Sequence, residues 1–220
     1  MPCYLLRREI VVAKPKTARG RERKRAIISA AAALMYEHGV KATGVDDVLV
    51  ASGSGKSQFY HYFSSKDDLV AAVLDLQLET VFNGAAEFRL DSWRGIQAWF
   101  DSLIAGQEQR GFKGCPVGSL AVELSASSPN MQRHVASSFS RWESILADSF
   151  TAMKNKGLLA PRAQPVLLAE GTLTAIQGGY LLSTALRDIR PMQTALAAAY
   201  SQLRTSRASA APSGRSSARR

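Results

Sequence analysis

Residues 43–66, TGVDDVLVASGSGKSQFYHYFSSK, constrain this chain more than any other stretch. Two short helical runs meet there at a tight glycine turn. Thr43 is placed as an N-cap, with Asp46 three residues on in capping-box position. Val45, Val48 and Leu49 then recur at i, i+3 and i+4, which makes one apolar face of a short helix. Gly53 can adopt positive φ and so reverse the chain. Residues 56–63 read as a second helix, with Phe59 and Phe63 on one core-facing side and Tyr60, His61 and Tyr62 pointing elsewhere. This is helix-turn-helix spacing, in which the second helix enters the DNA major groove and its early residues meet base edges. Ser54-Gly55-Lys56-Ser57 also looks like the tail of a phosphate-binding loop. The first glycine of that pattern would fall at Val50, however, and no strand precedes it.

Charge is placed to match. The chain of 220 residues carries a net charge of +10. Residues 1–66 contribute +7, residues 67–203 contribute −2, and residues 204–220 contribute +5. A basic segment beside a helix-turn-helix is what phosphate neutralisation and counterion release favour. The stretch KPKTARGRERKR reads as a flexible basic arm that reaches DNA through Arg19, Arg21 and Arg23. Two cysteines, Cys3 and Cys115, make no disulfide framework. No Cys/His cluster has metal-ligand spacing, and no cofactor or metal is expected. No apolar run approaches the roughly 20 residues that span a bilayer, so the expected setting is the cytoplasm, with no membrane partner.

The rest of the chain reads as helical throughout, giving an all-α fold class. From about Glu22 a first helix presents Ile27, Ala31, Leu34 and His38 on one stripe and ends at Gly39. Ser65 caps a long helix with Asp67 and Asp68 in its first turn, expected to run to about Leu90. Ile96, Trp99, Phe100, Leu103 and Ile104 form the face of the next helix. A loop over residues 111–116 leads to a short apolar helix. Pro129 opens a helix with Val135, Phe139, Trp142, Leu146, Phe150 and Met153 on one stripe, closed by Gly157. Pro165 and Pro191 open the last two. The expected divisions are an arm over 1–20, a DNA-binding domain over 21–82, a helical bundle over 83–204 and a disordered basic tail over 205–220.

Residues 22–82 resemble the DNA-binding domain of TetR-family transcriptional repressors. The matching features are an alanine-rich helix ending in HGV, a T-x-V-x-D-V run, and AxGxGKxxFYHYFxSKxxL. Gly44 stands where that family usually has Ser or Thr, and Ser54 replaces a Val that packs the turn. The resemblance implies that Thr43 contacts phosphate and that Lys56, Ser57 and Gln58 face base edges and flanking phosphates. It further implies that Tyr60 and Tyr62 bond phosphate through their hydroxyls beside His61, and that Lys66 meets the backbone. Gln58 can pair bidentately with adenine, while most of the other contacts only position the protein.

GCPVGSLAVEL is similar to a segment of the LmrA-like branch of that family. By analogy the C-terminal bundle holds an unknown small-molecule effector, with Phe100, Leu103, Phe112, Cys115 and Trp142 as pocket candidates. It also implies a homodimer through the last two long helices, where Gly171, Gly178 and Gly179 allow close approach. One recognition helix spans one half-site, whereas a two-fold dimer reads two. The expected function is a dimeric repressor whose operator affinity falls when a small apolar effector binds. An effector-independent DNA-binding regulator would instead have a filled C-terminal core. An enzyme is the remaining class, but His38, His61 and His134 have neither nucleophile-elbow nor metal spacing, so none is expected.

Overall fold

The structure is a computed structural model that describes residues 17–125 and 128–208. Its described residues form nine helices: α1 (Ala18–His38), α2 (Val45–Ser52), α3 (Lys56–Tyr62), α4 (Lys66–Glu87), α5 (Trp93–Gln109), α6 (Pro116–Ser125), α7 (Pro129–Asn155), α8 (Pro165–Leu186) and α9 (Arg190–Thr205). The all-helical expectation holds.

Helix α1 starts earlier than its apolar pattern announces. Thr17 is extended, and its Oγ1 accepts a hydrogen bond from the Gly20 amide at 3.1 Å, which caps the helix. Arg19, Arg21 and Arg23 therefore lie on a helix and not on a flexible arm. The first buried residue is Ile27, so the opening turns project from the core and carry their charges outward. Ala31, Ala32 and Met35 continue the buried face, and His38 is exposed at its end. Gly39 then reverses the chain at φ +87°. The remainder of the expected arm, residues 1–16, lies outside the described residues.

Helix α4 serves both halves of the molecule, so the expected division at 82/83 falls inside it. Ser65 Oγ accepts from the Asp68 amide at 3.1 Å, and the Asp68 carboxylate accepts from the Ser64 amide at 2.9 Å, which sets its start. Leu69, Val73, Leu74 and Leu78 are fully buried along it. Its flanks pack on α1 at one side and on α6 and α7 at the other. Each such side chain contributes about 1.5–3 kcal/mol of hydrophobic stabilisation.

In the bundle the proline-opened helices begin where expected. Ser128 caps α7, and Met131, Val135, Trp142, Leu146, Phe150 and Met153 form its buried stripe. Helix α8 packs against α7 and α9, and α5 meets α9 through Phe100 and Trp93 against Tyr200. Residues 206–208 pair with 158–160: the Ala160 amide donates to the Ser206 carbonyl at 2.8 Å and the Ala208 amide to the Leu158 carbonyl at 3.3 Å. The expected tail from 205 is thus ordered through 208, and its remainder lies outside the described residues.

Candidate nucleic-acid interface

Helices α2 and α3 form a short unit fixed by its own turn. The Gly44 amide donates to the Asp47 carboxylate at 2.8 Å, so Gly44 and Asp47 start α2. Thr43 does not cap it. It is 2% exposed, and its hydroxyl donates to the Gly39 carbonyl at 2.8 Å. A phosphate contact through that side chain is closed off, because the hydroxyl is spent inside the α1–α2 turn. Gly53 closes α2 at φ +60° in the left-handed region. The Arg23 guanidinium donates to the Gly53 carbonyl at 3.3 Å, so this α1 side chain braces the turn in the free protein.

Helix α3 presents Lys56, Ser57, Gln58, Tyr60 and His61 to solvent. Tyr60 is 63% exposed. Lys56 pairs with Asp46 across the turn at 3.2 Å. The Gln58 side-chain oxygen accepts from the Gly55 amide at 3.3 Å, which caps α3. Gln58 must give up that weak bond before its amide can lie flat against a base. Beneath, Phe59 and Phe63 are buried with ring centroids 5.4 Å apart, and Lys24 lies 5.6 Å over the Phe63 ring.

Two residues expected on the DNA face are held differently. Tyr62 is 8% exposed and belongs with the core, its ring edge-on to Phe63. Tyr62 lies three residues after Phe59, on the same buried side of α3, whereas Tyr60 faces outward. Lys66 donates from Nζ to the Val40 carbonyl at 2.6 Å. This bond ties the start of α4 to the α1–α2 turn and occupies one of the three ammonium donors, leaving the charge unneutralised. Arg23 and Asp47 are structural parts that helical spacing alone does not point to. Ser54, placed where the resemblance expects Val, has a buried hydroxyl with no partner.

The second region of interest is a cavity of about 210 Å³ between α4, α5, α7 and α8. Leu103, Cys115 and Trp142 line it, as expected, joined by Val81, Trp99, Arg110 and Tyr180. Phe100 does not. It turns toward α9, where its ring sits 6.5 Å from Tyr200. Phe112 does not line it either; it occupies the α5–α6 loop at φ +61°. Burial raises the Cys115 thiol above its ordinary pKa and pushes the Tyr180 phenol up to about 12, with the Arg110 guanidinium pulling the other way on both. Gln107 fixes the loop that carries these groups. Its Nε2 donates to Ser183 Oγ and Thr184 Oγ1, each at 3.0 Å, and its Oε1 accepts from the Gly114 amide at 3.2 Å.

That loop also grips the DNA-binding half. The Tyr36 hydroxyl donates to the Gly114 carbonyl at 2.8 Å, and Lys113 pairs with Glu37. On α6, the Glu123 carboxylate accepts from the Val40 amide at 3.0 Å and from the Lys41 amide at 3.3 Å. A separate contact joins α4 and α7, where His134 stands 3.4 Å from Asp75.

The glycines of α8 divide. A Cβ at Gly179 would come within 2.8 Å of Met192 Sδ, so this glycine serves the packing of α9 within one chain. Gly171 faces Gln202 of α9 in a similar way, where a Cβ would lie a tight 3.1 Å from the side-chain oxygen. Around Gly178 the space is open. The exposed flank of α8 carries Val166, Leu167, Leu181, Leu182 and Leu186.

Comparison with known proteins agrees with this architecture. Residues 27–73 match the family of bacterial regulatory proteins of the tetR type, and residues 93–198 match the C-terminal domain of LmrA/YxaF-like transcriptional regulators. An uncharacterised HTH-type transcriptional regulator of Mycobacterium tuberculosis is 31% identical over 183 residues, covering 77% of this chain and 88% of the relative. An uncharacterised HTH-type regulator of Lactococcus lactis, encoded in the lacX 3' region, is 28% identical over 179 residues, covering 79% and 89%. A TetR transcriptional regulator of Chloroflexus aurantiacus shares the fold with a TM-score of 0.73 at 22% identity, covering 88% of this chain and all of that one. This chain belongs to the TetR family of DNA-binding transcriptional regulators, with a C-terminal domain of the LmrA/YxaF-like type.

Proposed function

We propose that this protein is a dimeric repressor whose hold on its operator weakens when a small molecule fills the cavity between α4, α5, α7 and α8. One observation carries the reading: the 110–123 segment touches both the cavity and the DNA-binding half. Arg110, Cys115 and Pro116 line the cavity, while Gly114, Lys113 and Glu123 hold Tyr36, Glu37 and Val40. A ligand that moves this segment favours one placement of α1–α3 over another, and its differential affinity for the two placements sets the response. The cavity also favours this reading over an effector-independent regulator, whose bundle would be filled.

DNA contact is assigned to Lys56, Ser57, Gln58, Tyr60 and His61, all outward on α3. Arg19 and Arg21 on α1 add charge toward the backbone. Dimerisation is assigned to the exposed apolar flank of α8. A row of leucines and valines in water costs free energy that a second copy would remove. Pairing two recognition helices across a two-fold axis then gives two half-sites.

Fluorescence anisotropy with DNA flanking the protein's own coding region, at physiological salt with competitor, tests the reading. Saturable, competitor-resistant binding with a footprint of two related half-sites is expected. Binding that vanishes with modest salt, on every fragment tried, would reject operator recognition. The oligomeric state follows from sedimentation, where a monomer at micromolar concentration would reject the α8 assignment.

A further inference from the structure

We propose that the cavity selects small organic anions, a carboxylate on an apolar body of about one ring, and that Arg110 reads the charge. The proposal rests on the cavity being the effector site. At about 210 Å³ it exceeds the roughly 150 Å³ that holds a benzene molecule, which leaves space for one ring and a short polar head. Trp99, Trp142, Leu103, Val81 and Phe88 supply apolar walls.

Gln77, Thr80, Ser102 and Tyr180 add neutral polar groups, and Arg110 is the one charged side chain among the described lining residues. It ends α5, and its guanidinium folds back over the last turn. A Cβ at Gly106 would lie 2.8 Å from Nη1, so the glycine leaves room for the fold-back. The Arg110 Nε–H is buried and has no hydrogen-bond partner. Its Nη2 donates to the Tyr180 hydroxyl at 3.3 Å, and no carboxylate among the described residues forms an ion pair with it. The partly buried guanidinium thus has only neutral hydroxyl partners, Tyr180 and the adjacent Tyr36, and a buried Nε–H that bonds to neither.

A carboxylate corrects this better than any neutral group, because its two oxygens match the planar fork of donors. Tyr180 helps. Its hydroxyl accepts from Arg110 and retains its own proton, which burial keeps in place, to donate to the same head. An ammonium head would meet Arg110 with like charge and find only neutral acceptors, such as Gln77, Thr80 and Ser102. Arg110 also lies beside Tyr36, whose phenol burial holds above its ordinary pKa, with the guanidinium pulling the other way. An anion that draws on the guanidinium therefore acts next to the Tyr36–Gly114 bond between the two halves.

Three probes of one shape separate the alternatives: phenylacetate, 2-phenylethanol and 2-phenylethylamine, titrated into the full-length protein near neutral pH. Quenching of Trp99 and Trp142 fluorescence, checked by calorimetry, reports binding. Phenylacetate should bind at least about tenfold more tightly than the alcohol, and the amine more weakly than either. Arg110→Gln should erase the advantage of the acid over the alcohol, and continued quenching by the alcohol, whether or not its affinity shifts, shows that the cavity is intact. Arg110→Lys, which keeps charge but loses the fork, should retain part of the preference, and it carries the test should the glutamine variant not fold. Equal binding of acid and alcohol, a preference that survives Arg110→Gln, or no binding by any probe would overturn the proposal. Operator release is measured separately. Acid binding without release would sink the ligand-responsive reading and leave the charge assignment standing, while release by the alcohol alone would do the reverse.

Discussion

The recognition unit and the cavity of the C-terminal bundle solve opposite problems. Around α3 the side chains assigned to DNA point outward, over a buried pair, Phe59 and Phe63, four residues apart in one short helix. In the cavity the working groups point inward and come from positions as distant as Val81, Arg110, Trp142 and Tyr180. A surface that meets a phosphate backbone needs exposed donors and little else. A cavity needs walls from several helices, with few polar atoms and those well placed. The first is therefore written locally, and the second only across the whole bundle.

The largest effect is expected where the two regions can be separated. Phe59→Ala removes a fully buried ring from beneath α3 and should destabilise by about 3–5 kcal/mol. Operator binding should be lost. If the halves fold with any independence, phenylacetate should still quench Trp99 and Trp142; loss of both activities in one cooperative transition would show that shared α4 makes them a single unit.

Glu123→Ala tests the joint between them. Its carboxylate accepts from two backbone amides of the α1–α2 turn, so its removal should cost about 1–3 kcal/mol in thermal or denaturant unfolding. The ligand's effect on operator affinity should shrink as well. Unchanged coupling would move the transmission to α4.

Tyr60→Phe addresses the outward surface alone. It should weaken specific and nonspecific DNA by about 1 kcal/mol alike and leave cavity binding untouched. An effect confined to one base pair would assign the hydroxyl to base reading.

The smallest effect is a pH dependence at the α4–α7 contact. The Asp75 carboxylate raises the His134 pKa above its ordinary 6.5, against a smaller opposing effect of burial. At 3.4 Å, with Nε2 lacking a well-aligned acceptor, the contact is a charge pairing more than a directed hydrogen bond. Because the folded-state pKa lies above the unfolded one, the stabilisation is full below pH 6.5 and is lost as pH rises through the higher folded value. The pair is half open to solvent, so the loss should be a few tenths of a kcal/mol. His134→Gln should flatten melting temperature against pH in this window, and an unaltered slope would place the dependence elsewhere.

Much of the architecture is legible before any coordinates. Pro129, Pro165 and Pro191 sit at helix starts because a missing N–H costs nothing there. Gly39, Gly53 and Gly157 take positive φ at three chain reversals. The i, i+3, i+4 stripes locate the buried faces of α5 and α7. At Thr43 and Lys66 the cause of the misreading is competition for a polar group. Thr43 has the right chemistry for a cap or a phosphate, but its hydroxyl goes to the Gly39 carbonyl. Lys66 has the right charge for DNA, but the Val40 carbonyl takes one of its three donors. For Tyr62, Phe100 and Phe112 it is packing against other helices and loops, which helical spacing does not reveal. Thr17 caps a helix that has no apolar period until Ile27, so periodicity alone reads its first turns as an arm.

The sequence alone determined the helical class, the helix-turn-helix, the family and the outward residues of α3 apart from Tyr62, because these depend on spacings within a few turns. Only the tertiary structure decided which glycine of α8 serves its own chain and which aromatic residues line the cavity. It alone left the Arg110 Nε–H buried with no partner, since a side chain's partners are fixed by neighbours about seventy residues away, which no local pattern encodes.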